Sequence, residues 1–132
     1  HLRERLPARK KKGLSMESNW QDELPVGITV CDEQGVILSM NDRAALIFKK
    51  SGGSKLVGKS LMDCHPLDAQ EKIRNLLEQK KPNAYTLEKN GRTVLLYQSP
   101  WYEQGAFKGF VEFIFELPEQ MNRLAEIRWV NQ

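Results

Sequence analysis

A chain of 132 residues has room for one domain with a modest core, which excludes an enzyme built from several domains. Charged residues make up 28% of the chain, and the formal net charge is +3. The positive charge is concentrated at one end, since residues 1–15 hold six of the 20 Lys and Arg but only one of the 17 Asp and Glu. The rest of the chain is therefore slightly acidic.

Residues 1–15 are interpreted as a flexible basic tail or a segment added to the native chain, and contact with nucleic acid is expected only through them. The first residue is His1 rather than Met, as expected of a piece of a longer protein. No apolar run approaches the ~20 residues that cross a bilayer. Cys31 and Cys64 are too few for a disulfide framework. Together these features predict a soluble, cytoplasmic protein.

The first predicted element after the tail is a flanking helix over residues 16–24. Met16, Trp20 and Leu24 recur four residues apart, which places them on one helical face. Pro25 follows directly and disfavours continuation of the helix. Such a helix must pack against its own domain or against a second copy of the chain.

Two short strands, residues 27–31 and 36–40, are predicted next because both runs are rich in β-branched and apolar side chains. Between them, Asp32 can accept hydrogen bonds from the amides of the turn, and Gly35 can adopt a positive φ. Asn41 is the predicted N-cap of a compact helix that follows the second strand. These signals predict a hairpin followed at once by a helix.

The second half of the chain predicts a longer helix and three more strands. A helix begins at Pro66 and ends near residue 81, and the strands span residues 84–87, 93–98 and 107–115. Hairpin connections between strands imply an antiparallel sheet. We therefore expect an α+β fold with five strands, short helices on one face and a small volume between the layers. Residues 118–132 are predicted to form an exit helix.

The last strand divides its side chains into two sets by alternation. Val111, Phe113 and Phe115 are predicted to face the core, because all three are apolar. The opposite side, which also carries Glu112, would then be exposed. Together with the flanking helix it would form a surface for a second copy or a partner, through Trp20, Leu24, Phe110 and Ile114.

Residues 22–117 resemble a PAS domain, the sensory module of bacterial kinases, cyclase regulators and transcription factors. The resemblance rests on Gly27-Ile28, Asp32, Gly35, Ile37, Asn41, Ala44-Ala45, Phe48, Val57-Gly58-Lys59-Ser60, Cys64-His65-Pro66 and Gly109. It implies a strand order of 2-1-5-4-3, a ligand or cofactor between sheet and helices, and homodimers formed through flanking helices. The PAS domain is accordingly placed at residues 25–117, with an effector following it in the full-length protein.

No set of residues suited to nucleophilic catalysis is visible, so we expect a sensor module without catalytic activity that relays ligand binding through its flanking helices. The candidate ligand-binding residues are His65, Tyr97 and Phe113. A haem bound through His65 is an alternative, although a histidine at the start of a helix more commonly satisfies backbone groups. A further alternative is a dimerisation module with a filled core and no ligand or cofactor.

Residues 53–60 fit the pattern G-x-x-x-x-G-K-[ST] of a phosphate-binding loop. In that loop a strand precedes the glycines and a long helix follows them, so that the amides and the helix N-terminus face the phosphates. Here a helix is predicted to precede the segment, and Pro66 interrupts the chain six residues after Ser60. A nucleotide-binding enzyme is therefore the least favoured alternative.

Overall fold

The computed structural model describes residues 19–125 as a five-stranded sheet with short helices. The helices lie between the second and third strands in the sequence, as the order of patterns predicts. The elements are β1 (Gly27–Asp32), β2 (Ile37–Met40), α1 (Asp42–Ile47), three 3₁₀ turns (Lys49–Ser51, Gly53–Leu56 and Leu61–Cys64), α2 (Leu67–Gln79), β3 (Asn83–Lys89), β4 (Arg92–Glu103) and β5 (Ala106–Glu116).

The strands lie in the order β2-β1-β5-β4-β3, and every neighbouring pair is antiparallel. This confirms the predicted α+β class and the order that the resemblance implied. The central strand is β5, the most apolar run of the chain, and it pairs with β1 and β4. Gly27 lets α1 lie close to the sheet, since a Cβ at this position would come within 2.9 Å of Cδ1 of Ile47.

The β1–β2 turn forms as predicted. Oδ1 of Asp32 accepts hydrogen bonds from the amides of Gln34 and Val36, both at 2.9 Å. Gly35 has a φ of +85°, a backbone conformation that residues other than glycine rarely adopt. Its carbonyl also accepts a hydrogen bond of 2.8 Å from the amide of Leu61. The turn is therefore tied to the 3₁₀ segment that precedes α2.

Asn41 caps α1, as predicted, and it also bonds to two other parts of the domain. Its Oδ1 accepts hydrogen bonds from the amide of Ala44 in α1 at 3.0 Å and from the amide of Ile28 in β1 at 2.9 Å. Its Nδ2 donates to the carbonyls of Gln21 and Val26, both at 2.8 Å. The side chain is only 5% exposed. One buried amide thus joins α1, β1 and the segment that enters the domain.

Two flanking helices were predicted, and in each of them the residues that the structure describes are not helical. Residues 20–23 form a turn rather than part of a helix over 16–24, and residues 118–125 are irregular. Met16 and residues 126–132 lie outside the described residues. Trp20 is 68% exposed and Leu124 is similarly accessible, so neither side chain is packed against the domain. A short helix is marginal in water without such packing, and this explains the difference from the prediction.

The sides of β5 are the reverse of those predicted. Phe110 is 7% exposed and faces the helices, together with Glu112. Ile114 is on the same side, next to Gly27 and α1. Phe113 and Phe115 therefore lie on the outer face of the sheet, where their rings stack at 5.9 Å. Apolar side chains occupy both sides of β5, so apolarity alone did not identify the inner one.

Val111 belongs to the outer set with Phe113 and Phe115, because it alternates with Phe110 and Glu112 along the strand. The proposed partner surface is corrected accordingly. Phe110 is part of the core, and Ile114 faces α1 rather than solvent. Within residues 19–125, no helix has the length and apolarity needed to cross a membrane.

Candidate ligand-binding site

A cavity of about 300 Å³ lies between the sheet and the helices. Its volume is at the lower end of the range for pockets that hold small ligands. Most of its wall is apolar, with side chains from the sheet on one side and from Phe48, the 3₁₀ turns and α2 on the other. The apolar lining includes Ile37, Leu96 and Phe110 from the sheet and Phe48, Leu56, Ile73 and Leu76 from the helical layer.

A row of three polar side chains crosses the sheet on the cavity side. Nδ2 of Asn83 in β3 donates a 2.9 Å hydrogen bond to Oε1 of Gln98 in β4. Nε2 of Gln98 donates a 2.8 Å hydrogen bond to Oε2 of Glu112 in β5. The three residues are directly opposite one another in the strand register, which is why their side chains meet. The row therefore ends in a carboxylate at the cavity.

Thr29 continues this row on β1, where it is the partner of Glu112 in the register. Its Oγ1 is buried and has no hydrogen-bond partner among the described residues. Buried hydroxyl groups are usually paired, so an unpaired one at a cavity wall is unusual. Thr29 and Glu112 together form a polar patch in an otherwise apolar wall.

Glu112 influences the titratable groups around it. Burial raises its pKa above the ordinary value of 4.5, while the hydrogen bond from Gln98 and the charge of His65 act in the opposite direction. Burial also raises the pKa of Tyr85, and the charge of Glu112 adds to that effect. Burial raises the pKa of the Cys31 thiol as well, and the charges of Asp32 and Glu112 add to that effect. A hydrogen bond with the backbone of Phe110 lowers this pKa in part. No Lys or Arg of the part of the chain that the structure describes lines this cavity.

His65 lies at the edge of the cavity and is exposed. Its Nδ1 is 2.7 Å from the carbonyl oxygen of Leu61, so Nδ1 donates a hydrogen bond to it. Gln70 strengthens this connection by donating to the carbonyls of Met62 and His65 at 2.7 and 2.8 Å. An exposed imidazole beside a small cavity does not fit the buried axial ligand of a haem, so we assign no role to that cofactor.

Tyr97 and Phe113, the other two candidates, do not line the cavity. They are directly opposite each other on β4 and β5 and lie on the outer face of the sheet. Tyr97 is 38% exposed there. The structure instead brings together Asn83, Gln98 and Glu112, which the sequence analysis did not select. One available signal was a glutamate in the middle of the most apolar strand.

The segment 53–60 does not have the geometry of a phosphate-binding loop. It follows α1 and a 3₁₀ turn rather than a strand, it contains the second 3₁₀ turn, and the third comes after it. Its amides already have partners, since Gly58 donates to Ile37 at 2.8 Å and Lys59 to Leu56 at 2.9 Å. The hydroxyl of Ser60 accepts from the amide of Met62 at 3.0 Å. Within residues 19–125, no group of three or more His, Cys, Asp or Glu is placed to hold a metal ion.

Comparisons with known proteins agree with this architecture. A C-terminal domain from Streptococcus mutans is 25% identical, with 74% of this chain and 79% of that one covered and a TM-score of 0.59. The PAS domain of BvgS from Bordetella pertussis is 21% identical, covering 76% and 83%, with a TM-score of 0.57. A sensory box sensor histidine kinase from Vibrio cholerae is 16% identical, covering 75% and 87%, with a TM-score of 0.52.

No curated protein matches the chain. The family model described as the PAS fold matches residues 21–120, which include every strand, both α-helices and the cavity between them. This chain therefore belongs to the PAS fold family.

Proposed function

We propose that residues 25–117 are a sensor module without catalytic activity that binds a small molecule between the sheet and the helices. The observation that carries this proposal is the cavity of about 300 Å³ with a carboxylate and an unpaired hydroxyl in its wall. A filled core would not be expected to leave a buried hydroxyl without a partner or to turn a carboxylate inward. The similarity to a sensor histidine kinase supports a sensory role.

The proposed relay runs along β5 to the segment that leaves the domain. Glu112 is at the cavity, and the strand ends four residues later at Glu116. The amide of Leu117 then donates a 2.9 Å hydrogen bond to the carbonyl of Thr93 in β4. A ligand that binds two packing arrangements of this region unequally would shift their populations. In the full-length protein, the shift would reach an effector through residues 118–132.

We extend the proposal to a homodimer in the cytoplasm. The outer face of the sheet favours the dimer, because the stacked rings of Phe113 and Phe115 and the partly exposed ring of Tyr97 are grouped there. This face is also the basis of the second candidate function, a dimerisation module that binds no ligand. The two functions differ in whether the cavity accepts small molecules.

The test is to screen the domain with a chemically diverse set of small fragments, by protein-observed NMR, and to repeat the screen with the cavity blocked. Ile73→Trp places an indole in the cavity wall on α2. Leu67→Trp makes a similar change on the exposed side of the same helix. We expect fragments to bind the native domain and Leu67→Trp but not Ile73→Trp. A dimer in sedimentation that binds no fragment would support the dimerisation module instead.

A further inference from the structure

We propose that the ligand of this cavity carries a primary ammonium group on a small apolar body, and that the ammonium binds between Glu112 and Thr29. The inference rests on the proposed function, because it names the class of molecule that the same cavity accepts. It is argued from the direction of the hydrogen bonds, the unpaired polar atoms and the charges around the cavity.

The row of hydrogen bonds from Asn83 through Gln98 ends at the carboxylate of Glu112, which accepts hydrogen bonds. Asn83 donates to the carbonyl oxygen of Gln98, so the amino group of Gln98 must point towards Glu112. If the Gln98 amide were rotated by about 180°, its amino group would face the amino group of Asn83, and its oxygen would face the carboxylate of Glu112. The donor from Gln98 uses Oε2 of Glu112, and Oε1 has no hydrogen-bond partner among the described residues. This oxygen can therefore accept a hydrogen bond from a ligand.

Thr29 supplies a second acceptor beside the first. It is opposite Glu112 in the register of β1 and β5, and such pairs have Cβ atoms about 4.5–5.5 Å apart. Its hydroxyl has no partner among the described residues. An ammonium group has three N–H donors, so a single nitrogen can bond to both side chains. A ligand hydroxyl could also pair with both groups, by donating to Glu112 and accepting from Thr29, but it would leave the charge of the carboxylate without a counter-ion.

The charges around the cavity favour a cation over an anion. Among residues 19–125, no Lys or Arg lies beside Glu112 in the lining, and His65 is the basic side chain at the rim. The titratable groups that interact with Glu112 also include Tyr85 and Cys31, and burial favours their neutral forms. Cys64 lines the same cavity, where its thiol donates to the carbonyl of Ser60 at 3.6 Å. A buried carboxylate without a paired cation is unfavourable, and a bound ammonium would supply that partner. A carboxylate ligand would instead add a second negative charge.

The rest of the wall selects the body of the ligand. Leu76 and Ile73 from α2 face Leu96 and Phe110 from the sheet, so beyond the polar patch the cavity is apolar. A volume of about 300 Å³ restricts this body to a single ring or a short alkyl chain. Small arylalkyl amines and alkyl amines meet both requirements.

The test compares three probes of the same size and different charge: benzylamine, benzyl alcohol and benzoate. Their affinities are measured at neutral pH by protein-observed NMR titration. We expect benzylamine to bind the native domain most tightly and benzoate least tightly. Glu112→Gln should weaken benzylamine about ten- to a hundredfold, the range for hydrogen bonds to charged groups, and leave benzyl alcohol unchanged. Thr29→Val should weaken benzylamine by a smaller factor.

Glu116→Gln is the matched control. It removes a carboxylate from the same strand, but this one is exposed and paired with Arg92 at 3.8 Å. Its affinity for benzylamine should equal that of the native domain. The inference is overturned if benzylamine binds no tighter than benzyl alcohol, or if Glu112→Gln leaves its affinity unchanged. In either case the proposed function stands if fragments of another class bind in the cavity and are blocked by Ile73→Trp, and it fails if no fragment binds.

Discussion

Replacing Asn41 with Asp would test how the segment that enters the domain is held. The change keeps the size of the side chain and the acceptor that receives hydrogen bonds from the amides of Ile28 and Ala44. The nitrogen that donates to the carbonyls of Gln21 and Val26 at 2.8 Å becomes an oxygen. Two hydrogen bonds would therefore be replaced by two repulsive contacts between oxygens.

The size of the effect follows from burial. Each lost hydrogen bond contributes a net ~1 kcal/mol, and leaving a buried acceptor unpaired adds about 1–3 kcal/mol. Because Asn41 is 5% exposed, the introduced carboxyl would also be desolvated. Two hydrogen bonds and two acceptors are affected. We therefore expect Asn41→Asp to lower the free energy of unfolding by about 4–8 kcal/mol, a large part of the 5–15 kcal/mol typical of a domain. The loss should shrink at low pH, where a protonated carboxyl can donate again.

Chemical denaturation would measure this loss, and amide hydrogen exchange would locate it. The amide of Asp42 donates to the carbonyl of Asp22 at 3.1 Å, so it should exchange faster once residues 21–26 are released. The amide of Ala44 should stay protected, because its acceptor remains. Asn75→Asp makes the same change on the exposed surface of α2 and should cost less than ~0.5 kcal/mol. A loss for Asn41→Asp as small as this, or uniform changes in exchange, would refute the reasoning.

Two further predictions concern β5. Gly109→Ala should destabilise the domain by about 2–6 kcal/mol in the same denaturation assay, since a Cβ would overlap the carbonyl oxygen of Cys31 at a φ of +139°. Gly105→Ala has a φ of +84° but open space around it, so it should lose only about 1–2 kcal/mol, and equal losses would contradict the steric argument. Burial raises the pKa of Glu112 in the folded domain above 4.5. Below pH 4.5 the carboxyl is protonated in both the folded and the unfolded domain, so it does not affect stability. As the pH rises through the folded-state pKa, the buried carboxylate lowers the free energy of unfolding. Glu112→Gln should therefore be more stable than the native domain at neutral pH and equal to it in acid, and a native domain that is the more stable at neutral pH would contradict this.

The features predicted correctly from the sequence depend on contacts between residues close in the chain. Asp32 bonds to amides two and four residues away, and Asn41 bonds to an amide three residues away. The further bonds of Asn41 to Gln21 and Val26 span up to 20 residues and left no local pattern. Within the predicted flanking helix, residues 19–24 are described and are not helical, for a related reason. A spacing of four shows which side chains share a face, but not whether a surface exists to cover Trp20.

The reversed sides of β5 and the cavity have the same physical cause. If the domain had a filled core, the set with Val111 would face inward, because that choice buries three apolar side chains and leaves Glu112 in water. The fold instead turns Glu112 inward and places beside it the hydroxyl of Thr29, which has no hydrogen-bond partner within residues 19–125. These two departures from the rules of core packing are neighbours on adjacent strands, and both lie at the cavity wall. Departures that coincide in this way are expected where a bound molecule, rather than the chain, supplies the missing partner.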